Sequence, residues 1–402
     1  MIVLPMQEAG IYIHFPFCKS RCDYCDFNTS AELEKFIPAY CLNLVKEIQI
    51  AGRIFQNEYS IRSLYLGGGT PSYLPVACVQ EVLQAVKEVF YISAEIEISM
   101  EANPADITPS NSNVWREAGI NRLSIGMQSA QDAELKLLGR RHSFQDVIQA
   151  VDTIRAADIA NFNLDLMFGL PHQTMQSWQD TVEKALDLAP SHFSLYALTV
   201  EDGTPLAAHI QAGVLPAPDD DLAAEMYEWV MDFLGDQGYE QYEISNWAKL
   251  GDAQDYRCQH NLLYWRNQDY LGFGAAAHSH VSGQRWANLT GVPEYIQALS
   301  EFSVEDAVIH PFPWFESYTR LSQSEAMGET AMMGLRLVKE GLRDDLFQAK
   351  FGKSLFDVYG KQVNELVRLG LLELWETDAH AIRLTERGRL VGNQVFLRFL
   401  LD

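Results

Sequence analysis

The stretch IYIHFPFCKSRCDYC, residues 11–25, joins a run of β-branched and aromatic residues to three closely spaced cysteines. The run at 11–15 is typical of a β-strand. Cys18, Cys22 and Cys25 follow it in a C-x3-C-x2-C pattern. Because sites in α/β proteins lie at the carboxyl ends of the strands, this stretch predicts a strand that delivers three thiols to the functional edge of such a fold.

Further apolar runs recur along the chain and alternate with stretches of helical period. They predict strands at 63–69, 95–100, 122–128, 162–170 and 193–199. The first helical stretch places Ile37, Tyr40, Cys41, Leu44 and Ile48 on one face. Repeated strand-helix alternation predicts a parallel sheet with right-handed crossovers, either open or closed into a complete or partial barrel.

The pattern changes in the last quarter of the chain. Helices are predicted around 326–337, 342–351 and 355–369, followed by two short apolar stretches that flank a polar turn in GLLELWETDAHAIRLTERG (370–388). That order resembles a winged helix. We therefore predict two domains, residues 1–300 and residues 301–402.

Charge and composition limit the partners. The chain has 402 residues, of which 48% are hydrophobic, and its 30 basic and 54 acidic residues give a net charge of −24. Such a balance repels nucleic acid and anionic lipid, so a docking role is favoured over DNA binding for the winged-helix segment. The first thirty residues show no secretory-signal pattern and no run is apolar enough to span a membrane, which predicts a cytoplasmic protein.

The six cysteines do not suggest a disulfide framework in a reducing compartment. Cys41 and Cys78 lie on apolar helix faces and are expected to be small buried hydrophobes. The three clustered thiolates can hold a cubane iron-sulfur cluster that leaves one iron without a protein ligand. Zinc with a distant fourth ligand, such as Cys258 or His14, is the alternative, although no second C-x2-C pair completes a zinc set.

The C-x3-C-x2-C spacing with an aromatic residue, Tyr24, before the last cysteine resembles the radical S-adenosylmethionine (SAM) superfamily. This resemblance implies a partial (β/α)6 barrel. It also implies a 4Fe-4S cluster on Cys18, Cys22 and Cys25, with SAM on the open iron and Tyr24 near the adenine. In that superfamily one electron from the reduced cluster cleaves SAM, which implies an electron donor such as a flavodoxin or ferredoxin.

Six segments narrow the resemblance to the coproporphyrinogen III dehydrogenase-like branch, over nearly the whole chain. They are IYIHFPFC, LGGGTPS (66–72), EANP (101–104), SIGMQS (124–129), NLDLMFGLP (163–171) and YLGFGAAAHS (270–279). The glycine loop looks like the branch's loop for the SAM amino group. Carried over by residue, SAM contacts fall on Tyr12, Tyr24, Gly68, Gly69, Thr70, Glu101, Gln128, Arg140, Asp165, Ala197 and His278.

Two features separate the activities within this branch. The dehydrogenases carry a fourth cysteine two positions after the third, where this chain has Phe27. The HemW-type heme chaperones have phenylalanine there and an HNxxYW motif, which this chain matches with HNLLYW at 260–265. An imidazole is a standard iron ligand and aromatic rings offer flat surfaces to a porphyrin, so heme contacts are expected at His260, Asn261, Tyr264 and Trp265.

Two hypotheses follow. In the first, the chain is a heme chaperone that carries heme as cargo to acceptor hemoproteins, membrane-bound respiratory ones among them. In the second, it is an oxygen-independent coproporphyrinogen III dehydrogenase. Phe27 favours the first. The axial ligand of the heme iron stays open between His260, Cys258 and others, and so does the question of whether SAM is cleaved.

Overall fold

The computed structural model of the chain describes residues 6–55, 58–251, 254–303, 312–375 and 380–400. All six predicted strands form, and each is hydrogen-bonded in parallel to the next along the chain. They are β1 Gln7–Phe15, β2 Tyr59–Gly68, β3 Tyr91–Ala102, β4 Arg122–Gln128, β5 Asn161–Phe168 and β6 His192–Ala197. The prediction of an α/β fold with a partial (β/α)6 barrel is confirmed, and the carboxyl ends of the strands share one edge.

Helices connect these strands. They are α1 Ile37–Phe55, α2 Val76–Val89, α3 Pro109–Ala118, α4 Asp132–Leu137, α5 Phe144–Ala156 and α6 Met175–Asp187, with short 3-10 turns at Glu34–Phe36, Pro71–Tyr73 and Pro104–Asp106. The predicted face of α1 is buried against the sheet. Ser143 and Thr174 begin α5 and α6 with reciprocal capping bonds, which return the chain toward the next strand.

Both edges of the parallel sheet are extended by later elements. These are α7 Pro205–Gln211, α8 Asp220–Asp236, β7 Tyr239–Glu243, β8 Asn246–Lys249, α9 Gln259–Trp265, β9 Tyr270–Phe273, β10 His278–Val281, β11 Gln284–Asn288, α10 Val292–Glu301 and β12 Phe315–Arg320. β9 pairs in parallel with β1, and β8 pairs antiparallel with β6. The domain boundary near residue 300 stays a prediction; β12 pairs with β11 and so belongs to the large sheet.

The C-terminal region contains the three predicted helices and a small sheet. Its elements are α11 Gln323–Gly334, β13 Leu342–Arg343, α12 Asp344–Phe351, α13 Leu355–Arg368, β14 Leu372–Trp375, β15 Ala381–Leu384, α14 Glu386–Leu390, α15 Gly392–Phe396 and a 3-10 turn at Leu397–Phe399. The sheet has the order β13-β15-β14, as in a winged helix. The polar turn expected at 376–379 lies outside the described residues. A separate apolar core includes Ala331, Leu355, Tyr359 and Ile382.

One cysteine expectation is wrong. Cys41 on α1 and Cys78 on α2 form a disulfide, with their Cα atoms 5.9 Å apart. Both residues were expected to be reduced. Each does lie on an apolar helix face, and those two faces pack against each other, which brings the sulfur atoms together.

Among the described residues, none of the helices combines the length and the apolar character needed to cross a membrane.

Candidate functional site

A cavity of about 400 Å³ opens at the carboxyl edge of the parallel strands. It collects residues from the loop after β1, from the ends of β2 to β6 and from the segment after α4. Of the predicted cluster and SAM residues, all but Tyr12 and His278 line it: Cys18, Cys22, Tyr24, Cys25, Gly68, Gly69, Thr70, Glu101, Gln128, Arg140, Asp165 and Ala197. The tertiary structure thus joins side chains that are spread over about 180 residues of sequence.

The three cysteines are partly exposed and lie in this cavity with hydrogen-bond donors beside them. The Thr70 hydroxyl donates to Sγ of Cys18 at 3.5 Å, and Nη1 of Arg140 donates to Sγ of Cys22 at 3.3 Å. Donors aimed at sulfur stabilise the thiolate form that binds iron. No three His, Cys, Asp or Glu side chains in the described part of the chain converge closely enough to hold one metal ion. Three free thiols in one cavity are the donor set that a 4Fe-4S cluster with one open iron takes.

The glycine loop after β2 is fixed against the end of β1. Its amides all donate within the chain, from Gly68 to Oε2 of Glu101 at 3.1 Å, from Gly69 to the Phe15 carbonyl at 2.7 Å and from Thr70 to the Phe17 carbonyl at 2.9 Å. A Cβ on Gly69 would lie 2.6 Å from the Phe17 carbonyl oxygen. Only glycine allows this approach, which holds the Thr70 hydroxyl at Cys18.

Two carboxyl groups face the cavity opposite the cysteines. Glu101 accepts from the Tyr65 hydroxyl at 3.1 Å, and burial, followed by the charge of Asp165, raises its pKa to about 7. Asp165 accepts from Nδ2 of Asn163 at 2.7 Å and from Ser124 Oγ at 3.1 Å. Burial also raises the pKa of Asp165. Such acceptors suit an ammonium group and ribose hydroxyls, so both fit a nucleoside-bearing amino acid.

Arg140 and Gln128 also line this cavity. Nη2 of Arg140 donates to the Gly126 carbonyl at 2.8 Å, while its buried Nε donates to none of the described residues. Gln128 ends β4 at a φ of 64°, a conformation that is uncommon outside glycine and is often found at functional sites. A guanidinium beside a cluster can bind a carboxylate in bidentate fashion.

A second cavity of about 240 Å³ adjoins the first and shares Tyr65, Glu101, Ser124 and Tyr196 with it. Its remaining lining residues are Tyr12, Arg122, Ser194, His260, Asn261 and Tyr264. Tyr12 therefore lies here, away from the cysteines. Three of the four residues expected to contact heme also line this inner cavity.

His260 of the HNLLYW segment is 1% exposed and has both ring nitrogens engaged. Nδ1 lies 3.0 Å from Ser63 Oγ, and Nε2 lies 2.9 Å from the Tyr264 hydroxyl. Burial lowers the pKa of His260 to about 3, so the ring is neutral. To bind iron, this imidazole would have to give up one of these hydrogen bonds. Trp265 does not line the cavity: the Arg336 guanidinium lies 4.4 Å from the centre of its ring.

Three other candidate residues lie elsewhere. His278 is exposed at the start of β10 and lines neither cavity. His14 is hydrogen-bonded to the Tyr12 hydroxyl and the Asn28 carbonyl, both at 3.0 Å. Cys258 is buried, donates to Glu97, and has a pKa that burial raises to about 12. Neither proposed fourth zinc ligand, His14 or Cys258, lines the cavity of the three cysteines.

Several residues that line the two cavities were not predicted from the sequence. Tyr65 holds Glu101, Ser124 holds Asp165, and Arg122 lies in the inner cavity. A charged residue at the start of the otherwise apolar run RLSIGMQ was the one available signal for Arg122. Tyr65 and Ser124 give no such signal, because alternating polar residues are ordinary in strands.

Comparisons with known proteins agree with this geometry. Residues 12–185 match the model of the radical SAM superfamily, and residues 321–391 match the HemN C-terminal domain. The heme chaperone HemW of Lactococcus lactis is 36% identical, over 98% of each chain. The mouse mitochondrial radical S-adenosyl methionine domain-containing protein 1 is also 36% identical, over 98% of this chain and 87% of its own.

A solved structure shares the fold. Coproporphyrinogen III oxidase (HemN) of Escherichia coli superposes with a TM-score of 0.81 over 99% of this chain and 91% of its own, at 22% sequence identity. At that identity the likeness concerns the fold alone.

The fold, the cysteine loop and the matched model define a radical SAM protein, whose cofactors are a 4Fe-4S cluster and SAM. Within that superfamily the chain belongs to the HemW family, because it is similar to HemW proteins over nearly its full length. The assignment of individual residues to these cofactors stays a prediction.

Proposed function

We propose that this chain is a heme chaperone, which binds heme and transfers it to acceptor hemoproteins. The observation that carries the proposal is its 36% identity to a HemW heme chaperone over 98% of both chains. The alternative activity, oxidative decarboxylation of coproporphyrinogen III, has weaker support, because the likeness to HemN is at 22% identity and Phe27 replaces the extra thiol.

Aromatic surfaces support heme binding at the cavity of about 400 Å³ that contains the three cysteines, called the outer cavity from here on. Phe27 is 64% exposed and Tyr196 is 44% exposed, and both line this cavity. Two exposed rings that line one cavity offer flat contacts to a macrocycle. A porphyrin is too large for the 240 Å³ inner cavity, so we place its ring at the outer one.

The cofactors would be held by the residues already described. Cys18, Cys22 and Cys25 would hold the cluster, which supplies one-electron chemistry when it is bound. SAM would contact Glu101, Gln128, Arg140 and Asp165, the glycine loop with Thr70, and Tyr24 and Ala197 on the walls. Arg140 would orient the SAM carboxylate while its Nη1 keeps its hydrogen bond to Sγ of Cys22.

The finer partners belong to the same proposal. We infer a cytoplasmic location, acceptors that include membrane-bound respiratory hemoproteins, and a flavodoxin or ferredoxin as electron donor. A net charge of −24 disfavours direct binding to anionic lipid, so delivery would proceed through protein contacts.

The test uses full-length protein whose cluster has been reconstituted anaerobically. Titration with heme should give a stoichiometric Soret band, and mixing with apomyoglobin should move the heme to that acceptor. Phe27→Ala should weaken uptake, because the Phe27 ring lines the outer cavity, whereas Tyr318→Ala, on β12, should not. Incubation with coproporphyrinogen III, SAM and a reductant should release no carbon dioxide. Release of carbon dioxide, or absence of heme uptake, would overturn the proposal.

A further inference from the structure

Arg122 is a buried arginine in the inner cavity that forms no ion pair with a described residue. Arg122 is 2% exposed, and its Nε donates to none of the described residues. None of the ion pairs between described residues includes it. A guanidinium keeps its charge at all physiological pH values, and burying it unpaired is costly. Such a group is expected to have a ligand.

The carboxylate of Glu97 does not supply that partner. Burial lowers the pKa of Arg122, but nearby groups that include Cys258 and Glu97 raise it overall. The oxygens of Glu97 are already used, because they accept from the Gln259 amide at 3.1 Å, the His260 amide at 3.3 Å and the Cys258 thiol at 3.5 Å. Glu97 thus caps α9 and forms no ion pair with Arg122.

The other polar groups of the inner cavity are mostly engaged. Tyr65 and Ser124 donate to carboxylates, and Tyr264 is paired with His260. The Asn261 side chain lines the cavity and makes no hydrogen bond to a described residue. Arg122 and Asn261 are therefore the donors with capacity left for a ligand. The Glu101 carboxyl also lines this cavity, but it accepts from the Tyr65 hydroxyl and the Gly68 amide, and burial raises its pKa to about 7.

We propose that the inner cavity binds a carboxylate group, with the Arg122 guanidinium as its charge partner and the Asn261 amide as a second donor. Arginine forms paired hydrogen bonds with carboxylates, and 240 Å³ admits a carboxylate arm or a small acid but no macrocycle. The carboxylate comes from one of two sources. The first is a propionate of heme, which would enter past Tyr65 and Tyr196, and this source rests on the proposed function. The second is a free small acid.

The first test compares heme with heme dimethyl ester, in which both propionates are neutral, by absorbance titration of the reconstituted full-length protein. If the carboxylate is a propionate, the wild type should bind the ester about tenfold more weakly than heme. Arg122→Gln should bind both at the level of the ester. Arg62→Gln, at an exposed arginine on β2, should keep the difference.

The second test measures the melting temperature with sodium propionate, and so needs no heme. The site binds a free acid if propionate raises the melting temperature of the wild type and of Arg62→Gln, but not of Arg122→Gln, while heme and its dimethyl ester bind equally well. The wild-type arms do not depend on whether Arg122→Gln folds, and Arg122→Lys, which keeps the charge, should retain part of either effect. Equal binding of heme and ester together with no effect of propionate overturns the site. A protein that binds no heme but is stabilised by propionate keeps the site and refutes the chaperone function.

Discussion

Substituting Glu97 with glutamine should loosen the HNLLYW helix without disturbing the sheet. Glu97 lies on β3, is 8% exposed, and accepts the two amides and the thiol that begin α9. Glutamine has the same shape, but its one remaining oxygen can accept from only part of this set. Its NH2 group would face donors and the positive charge of Arg122.

The expected cost follows from these contacts. Hydrogen bonds to a charged acceptor contribute about 1.5–3 kcal/mol each, and loss of a helix N-cap costs about 0.5–2 kcal/mol. Since glutamine keeps one acceptor, we expect a loss of about 2 kcal/mol in the free energy of local opening of α9. That corresponds to roughly 30-fold faster amide exchange, at about 1.4 kcal/mol for each factor of ten.

Hydrogen exchange followed by mass spectrometry measures this opening in the peptide that covers Gln259–Trp265. Glu95→Gln is the matched control, because Glu95 is exposed on the same strand and carries the same charge. The reasoning is refuted if exchange in this peptide is the same in both variants. It is also refuted if Glu97→Gln accelerates exchange equally in β1 and β2.

Three further predictions concern other contacts. Burial raises the pKa of Glu47 from 4.5 to about 7, so between these values the folded chain binds a proton that the unfolded chain lacks, and the free energy of unfolding falls as pH rises through that window. Glu47→Gln should flatten this fall by up to about 3 kcal/mol in urea titrations at pH 4.5 to 7.5, and an unchanged slope would contradict the assigned pKa. Gly69→Ala should abolish cluster incorporation, measured by iron content and absorbance, because the added Cβ would clash with the Phe17 carbonyl. Gly360→Ala, which adds a Cβ in open space on α13, should leave cluster incorporation intact. A normal cluster in Gly69→Ala would contradict this role of Gly69. Arg140→Met should weaken SAM binding at least tenfold in equilibrium dialysis while the protein stays folded, because it removes the guanidinium beside Cys22; affinity equal to the wild type would show that Arg140 does not hold the SAM carboxylate.

Much of the outer site could be read from the sequence because it is encoded in local segments. Most of the predicted residues there lie near the carboxyl end of a strand or in the loop after it, and parallel strands place such positions on one edge whatever the details of packing. The cysteine spacing and the glycine loop are local in the same sense. His278 and Tyr12 do not line the outer cavity, because His278 is exposed and Tyr12 lines the inner cavity.

By itself, the sequence determined the strand-helix order, the C-terminal winged-helix-like region and the three thiols after β1, since periodicity and spacing act over a few residues. Only the tertiary structure decided contacts between distant segments. Glu97 accepts from the start of α9 across 162 positions, Cys41 is bonded to Cys78, and the Arg336 guanidinium lies over the Trp265 ring. These contacts depend on which helix faces pack together, and residue patterns within one segment carry no information about the partner face.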